Sequence, residues 1–407
     1  MKKLKVLFCG AVFAVGGYPE HARVILRALR TIEDKIDLYI LPYKWSSTTD
    51  TYQNDEENKW FRYLISKTNP NMLGHFDISI QLGVPTEWKK FAKYNIGVTA
   101  GVETLSMNPE WIQYCNSVDK VMTVSEFSKR TILNTVHENN RVTNPVEVIA
   151  FPYKNVEKID FDLNFETTFN FLCVSQWAPR KNLENMLSWF VETFHDNKDV
   201  GLIIKSYHQA NSTPDFYNLD LLLYEILHKY KDRKCKVYFI HGDLNDQQLQ
   251  SLYTSNNVKV FVSNSHGEGF CIPMFDAACN AIPVIAPDFS GYKDYMYQVK
   301  EDKLSKKSKI RPFFQKVDCD INPVQQNHIM PGIINPGMLW CYTKQNDFKN
   351  KLLEMYKDYG RFKKQATELR DILVSKYSKE QIYSQYINSI FEKFNLEDVQ
   401  EEEVIEV

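Results

Sequence analysis

Glu268 and Asp276 stand with seven residues between them in Ser265-His-Gly-Glu-Gly-Phe-Cys-Ile-Pro-Met-Phe-Asp276. An ionised carboxylate accepts hydrogen bonds and donates none, so a pair of them suits a polyhydroxy ligand. The run Lys259-Val-Phe-Val262 leads in as a short buried strand, and Pro273 fits the first turn of a helix, where a missing N–H costs nothing. Amides at such a helix start attract phosphate. Sugar hydroxyls therefore suit the carboxylates and a pyrophosphate suits the amides of Gly269, Phe270 and Cys271, with Gly269 permitting close approach. His266 either hydrogen-bonds the sugar or is a loop histidine without a role.

A second cluster supplies cations. Val174-Ser-Gln-Trp-Ala-Pro-Arg-Lys-Asn182 follows a predicted strand, at the end where α/β sheets hold ligands, and places Arg180 beside Lys181. Lys205 ends the next predicted strand. Cations there suit an anionic ligand such as a phosphate. Trp177 either borders a base or fills core. Two Asp-x-Asp triplets, Asp160-Phe-Asp162 and Asp318-Cys-Asp320, match a metal-binding pattern that arises often by chance, and they are read that way.

The elements that position these residues follow from periodicity. Short apolar runs alternate with amphipathic stretches, the pattern of an α/β protein with parallel sheets. Strands are expected at 6–9, 38–41, 78–81, 96–99, 121–124 and 146–149, then at 169–174, 200–204, 236–240, 258–262 and 284–286. Gly10 to Gly17 reads as a loop after the first strand, with Gly16 and Gly17 offering amides to a ligand such as a phosphate. Ser125 fits an N-cap with Glu126 in the first turn. Leu183, Met186, Leu187, Phe190, Val191 and Phe194 recur at helical spacing, as do Tyr383, Tyr386, Ile387, Ile390, Phe391 and Phe394.

With 407 residues, 43% of them hydrophobic, the chain can form two domains with separate cores. A formal net charge of −2 gives no global case for binding nucleic acid or an anionic membrane. Eight cysteines without metal-ligand spacing read as buried thiols in a reducing, cytoplasmic setting, without disulfides. The start reads as a buried strand rather than a secretory signal, and no stretch reaches transmembrane length.

The segment from Val260 to Asp294 resembles the donor site of the retaining glycosyltransferases of family 4, whose signature is a Glu, seven residues and a second Glu; here the second is Asp276. The resemblance implies a glycosyltransferase B fold, two Rossmann-like domains facing a cleft. The expected divisions are an acceptor domain at 1–160, a nucleotide-sugar domain at 161–377, a helix at 378–396 crossing back to the first domain, and an acidic tail at 397–407. It also implies that Glu268 touches the donor sugar and Asp276 the ribose. In the family's phosphate loop an Arg precedes a Lys by five residues; Lys181 matches the Lys, while Gln176 occupies the Arg position, with Arg180 adjacent. Glu103, after the strand at 96–99, would orient or deprotonate an acceptor hydroxyl, or make a structural hydrogen bond. The implied activity is metal-independent transfer from a nucleoside-diphosphate sugar to a glycan or glycoconjugate hydroxyl, with no cofactor. Alternatives are transfer to hydroxylated nucleic-acid bases, sugar-nucleotide epimerisation and a non-catalytic accessory role. The basic stretch Lys300 to Arg311, inside an insertion, reads as a solvated loop or as a clamp for an anionic acceptor.

Overall fold

A computed structural model describes residues 3–44, 51–101, 103–161, 163–209, 211–301 and 308–396. Asp162, Lys303, Lys306, Lys307 and the acidic tail, all singled out by sequence, lie outside these. The chain divides into two compact units: unit 1 takes Met1–Gly101, Met107–Pro152 and Tyr377–Val407, and unit 2 takes Val102–Ser106 and Tyr153–Lys376.

Unit 1 holds a parallel sheet of β1 (Leu4–Gly10), β2 (Ile36–Pro42), β3 (Phe76–Leu82), β4 (Ala92–Val98), β5 (Lys120–Thr123) and β6 (Val146–Val148), in the order β2-β1-β3-β4-β5-β6. Most positions of these strands are buried; β1 reads as an unbroken apolar run from Val6 to Cys9, whereas β3 alternates, with Ser79 and Gln81 buried and hydrogen-bonded between Ile78, Ile80 and Leu82. The Ser125 hydroxyl accepts from the Ser128 amide at 3.1 Å and starts helix Glu126–Asn134. Helix Lys379–Ile390 belongs to this unit: Tyr386 Oη meets His21 Nε2 at 2.8 Å, and the buried Lys120 ammonium lies 2.6 Å from the Glu392 carboxylate.

Unit 2 repeats the scheme with β7 (Phe169–Val174), β8 (Val200–Ser206), β9 (Lys236–His241), β10 (Val258–Val262) and β11 (Val284–Pro287). Helix Leu183–Phe194 buries the six apolar residues that the spacing selected, in one cluster with Phe171, Leu202 and Ile204. Each such side chain contributes about 1.5–3 kcal/mol when fully buried.

Of the stretch from Lys300 to Arg311, residues 302–307 lie outside the described residues, and Lys300 and Ser308 to Arg311 are exposed strand rather than loop. The chain between β11 and the helix Gln345–Lys357 holds several strands. It forms the hairpin β12 (Tyr297–Glu301) with β13 (Ser308–Pro312), the strand β14 (Gln315–Val317), and the hairpin β15 (Cys319–Pro323) with β16 (Leu339–Thr343). The strand β14 completes a parallel sheet ordered β14-β11-β10-β7-β8-β9. Alternation supplies the reason: Gln315 and Val317 are buried and Lys316 between them is exposed, so charge sits on one face while the other packs. All eight cysteines are free. Among the described residues, no helix is long and apolar enough to cross a membrane.

Candidate functional site

In unit 2 the strand order reverses between β7 and β10, the switch point at which α/β sheets hold ligands, and the loops leaving their C-terminal ends meet there, the His266 amide donating to the Arg180 carbonyl at 2.8 Å. Those two loops carry Arg180 and Lys181 on one side and Glu268 on the other. Lys181 Nζ lies 2.6 Å from Glu268 Oε1, and Arg180 Nη1 lies 3.2 Å from Glu268 Oε2. Arg180 also donates to the Gly267 carbonyl at 2.5 Å and reaches Glu103 Oε1 at 3.1 Å. Glu103 lies in the short passage Val102–Ser106, which belongs to unit 2 although the chain on both sides belongs to unit 1.

Glu268 is 5% exposed. Burial alone would raise its pKa, but Lys181 and then Arg180 outweigh it and hold the carboxyl at about 2. Its backbone is held too: the Glu268 amide donates to Ser290 Oγ at 3.0 Å, and its carbonyl accepts from the Gly291 amide at 2.9 Å. Arg180, although burial works against its charge, is held more firmly protonated by Glu103 and Glu268. The site thus presents a rigid carboxylate and two cations side by side.

Lys205 ends β8 with 8% exposure. Burial lowers its pKa, opposed by Asp243, and Tyr207 lies 5.6 Å from its ammonium. Among the described residues no hydrogen-bond or ion-pair partner meets this ammonium. A buried cation is costly, and an anionic ligand beside it removes part of that cost.

The remaining candidates divide. His266 is pinned: its Nδ1–H donates to the Cys341 carbonyl at 2.7 Å, its backbone exchanges a second bond with Cys341 at 3.1 Å, and its ring stacks on Trp340 with centroids 5.2 Å apart. Burial lowers its pKa, so a neutral ring leaves Nε2 as the atom with which it can meet a ligand. Gln176 points elsewhere: its amide donates to the His208 carbonyl at 2.7 Å and ties down the loop after β8. Gly269 and Phe270 are buried, and the Tyr295 hydroxyl reaches the carbonyls of Phe270 and Cys271 at 3.0 and 3.1 Å. Cys271 takes a left-handed φ of 68° immediately before helix Ile272–Cys279, with Pro273 in its first turn. Asp276, further along that helix, lines a small pocket with Tyr153, Lys154, Asp246 and Tyr253. Trp177 packs in the core.

Gly16 and Gly17 lie in unit 1, where Gly16 has a φ of 141° before helix Gly17–Arg30. The buried Arg23 guanidinium holds that loop by donating to the carbonyls of Val12 and Ala14 at 3.1 and 2.8 Å. Of the two acidic triplets, Asp320 lies 3.3 Å from the Lys344 ammonium, and among the described residues no group of three or more His, Cys, Asp or Glu side chains is placed to hold a metal ion. Sequence reasoning missed Ser290 as a support of the site, because a lone serine after a strand carries no signature.

Residues 155–307 match the family described as glycosyl transferases group 1. A serotype-specific mannosyltransferase, WbdA of Escherichia coli, is 29% identical over 125 residues, which cover 31% of this chain and 14% of that protein. The chain therefore matches only a small part of that relative's length. Solved structures share the fold at low identity. A glycosyltransferase from Rickettsia africae is 15% identical with a TM-score of 0.59, covering 96% of this chain and 99% of its own. A sucrose-phosphate synthase from Thermosynechococcus elongatus is 13% identical with a TM-score of 0.63, covering 96% and 99%. Anabaena HepE in complex with UDP and glucose is 11% identical with a TM-score of 0.61, covering 95% and 99%. The architecture is the glycosyltransferase B fold.

Proposed function

We propose that this protein, whose residues 155–307 match the family described as glycosyl transferases group 1, moves a sugar from a nucleoside-diphosphate donor to an acceptor hydroxyl. Transfer proceeds with retention at the anomeric carbon and without a metal ion, and the acceptor is a glycan or glycoconjugate. The observation that carries this reading is the contact of Lys181 and Arg180 with the buried Glu268 at the C-terminal ends of β7 and β10 in the unit 2 sheet.

In this reading Glu268 accepts hydrogen bonds from hydroxyls of the donor sugar, fixing the ring against the cations. Lys181, Arg180 and Lys205 face the diphosphate and stabilise the charge that grows on it as the glycosidic bond breaks. Asp276 receives the ribose hydroxyls, and Asp being one methylene shorter than Glu, the ribose sits closer to the helix Ile272–Cys279 than a Glu would require. The departing phosphate oxygen takes the acceptor proton from the same face, which gives retention. The WbdA match supports mannose as the sugar to try first.

The test is a panel of nucleotide sugars scored by thermal stabilisation, followed by transfer assays with the binders, with and without a chelator. A donor that binds only N raises the unfolding midpoint according to its affinity. Stabilisation by at least one nucleoside-diphosphate sugar and chelator-insensitive transfer with retained configuration are expected. Wild-type transfer by Glu268→Ala, or stabilisation by none of the panel, would overturn the reading.

A further inference from the structure

The ionic cluster around Arg180 is neutral in sum. Two cations, Arg180 and Lys181, meet two carboxylates, Glu103 and Glu268. A diphosphate arriving there adds negative charge, so the cluster can hold it well only if one carboxylate gives way. Glu268 is poorly suited to yield: its side chain is 7% exposed, both its carboxylate oxygens are engaged, and Ser290 and Gly291 fix its backbone. Glu103 differs on each count. Its side chain is 21% exposed, and Arg180 Nη2 is the cation it meets, at 3.1 Å.

The passage that carries Glu103 is also built to bring it there. Its carbonyl lies against Gly267 so closely that a Cβ at Gly267 would stand 2.1 Å from the Glu103 oxygen. Two residues on, the Leu105 amide donates to the Leu339 carbonyl at 3.3 Å, and Thr104, fully buried, lies against Met338. Glycine at 267 and the end of β16 thus seat a short strap whose one acidic side chain faces Arg180. A residue that acted on an acceptor by itself would need no guanidinium as its partner.

We infer that Glu103 is a positioning residue acting through Arg180: its carboxylate neutralises and aims the guanidinium while no donor is present, and releases it to the donor diphosphate. The inference rests on the proposed function for the identity of the anion, and on geometry alone for the pairing. In place of proton transfer from the acceptor, Glu103 sets how strongly Arg180 holds a phosphate.

Four proteins decide it: the wild type, Glu103→Gln, Arg180→Ala and the double variant. Calorimetry with inorganic pyrophosphate, UDP and GDP should show tighter binding for Glu103→Gln by roughly two- to fivefold, the scale of removing one partly exposed ion-pair partner. That gain should vanish when Arg180 is already Ala, so the cycle is non-additive. Transfer by Glu103→Gln should fall in kcat without a rise in donor KM, and Glu103→Asp should restore part of it. Unchanged anion affinity in Glu103→Gln, together with a raised acceptor KM or the loss of one limb of the pH–rate profile, would overturn the inference and assign Glu103 to the acceptor. The same four proteins report without substrate as well: denaturant unfolding should give a coupling between positions 103 and 180, and additivity there refutes the pairing. If none of the anions binds the wild type, the proposed function fails, while the unfolding cycle still judges the pairing.

Discussion

Replacing Glu268 by Gln removes one charge while keeping the shape of the side chain, and leaves Arg180 and Lys181 facing a neutral amide. In the folded protein the carboxyl titrates at about 2 against an ordinary value of 4.5. At about 1.36 kcal/mol per pH unit that gap is worth about 3 kcal/mol, an order-of-magnitude figure. Because the folded value is depressed, this stability is fully present above 4.5 and is lost as pH falls through 2. The difference between the wild type and Glu268→Gln is therefore largest near pH 7 and falls to less than half by pH 3, whatever other groups contribute to both proteins equally. For a domain of roughly 150–250 residues, 1 kcal/mol shifts Tm by about 2–4 °C, so the variant should melt roughly 6–12 °C lower at neutral pH. Scanning calorimetry of both proteins from pH 3 to pH 8 measures this. A Tm difference that stays constant with pH, or widens on acidification, would refute the claim that Lys181 and Arg180 stabilise a buried carboxylate.

Two other substitutions test neighbouring parts of the site. Lys205→Met replaces a buried ammonium whose charge burial disfavours, so it should leave Tm unchanged or higher while weakening nucleoside diphosphate binding at least tenfold, about 1.4 kcal/mol; calorimetry and a melting curve on one preparation read both. Gly267→Ala should lower kcat/KM with little change in circular dichroism, because its Cβ would meet the Glu103 carbonyl at 2.1 Å and displace Glu103 from Arg180 without unfolding the strands around it.

Much of this site can be read from residue types and order. The strand before Glu268, the proline in the helix after it and the adjacent Arg180 and Lys181 are local signals, and the sheet order brings them together. The Ser125 cap was legible for the same reason, since a hydroxyl before a helical run acts within one turn. What the chain does not announce are pairings between distant segments. Nothing near Glu103 marks its neighbours as part of unit 2, because a five-residue passage has no periodicity of its own to analyse. His266 looks like a loop residue until β16 arrives more than seventy positions later to take both its backbone and its ring. The charge of the stretch from Lys300 to Arg311 suggested a loop, yet Lys300 pairs with Glu368 at 2.7 Å and its strand runs antiparallel to β13. Gln176 departs from the family's Arg, and its contact with His208 shows a residue spent on shaping a loop.

The assignment of helix Lys379–Ile390 to unit 1 bears on how the protein is made. Synthesis delivers the six strands of that unit first, but the partners of His21 and Lys120, namely Tyr386 and Glu392, emerge only after all of unit 2. Domains usually complete themselves in order of emergence. Of the two units, the one synthesised first is thus the last to be finished, and until the last helix arrives Lys120 lacks the Glu392 carboxylate and the Ser389 oxygens that its ammonium meets.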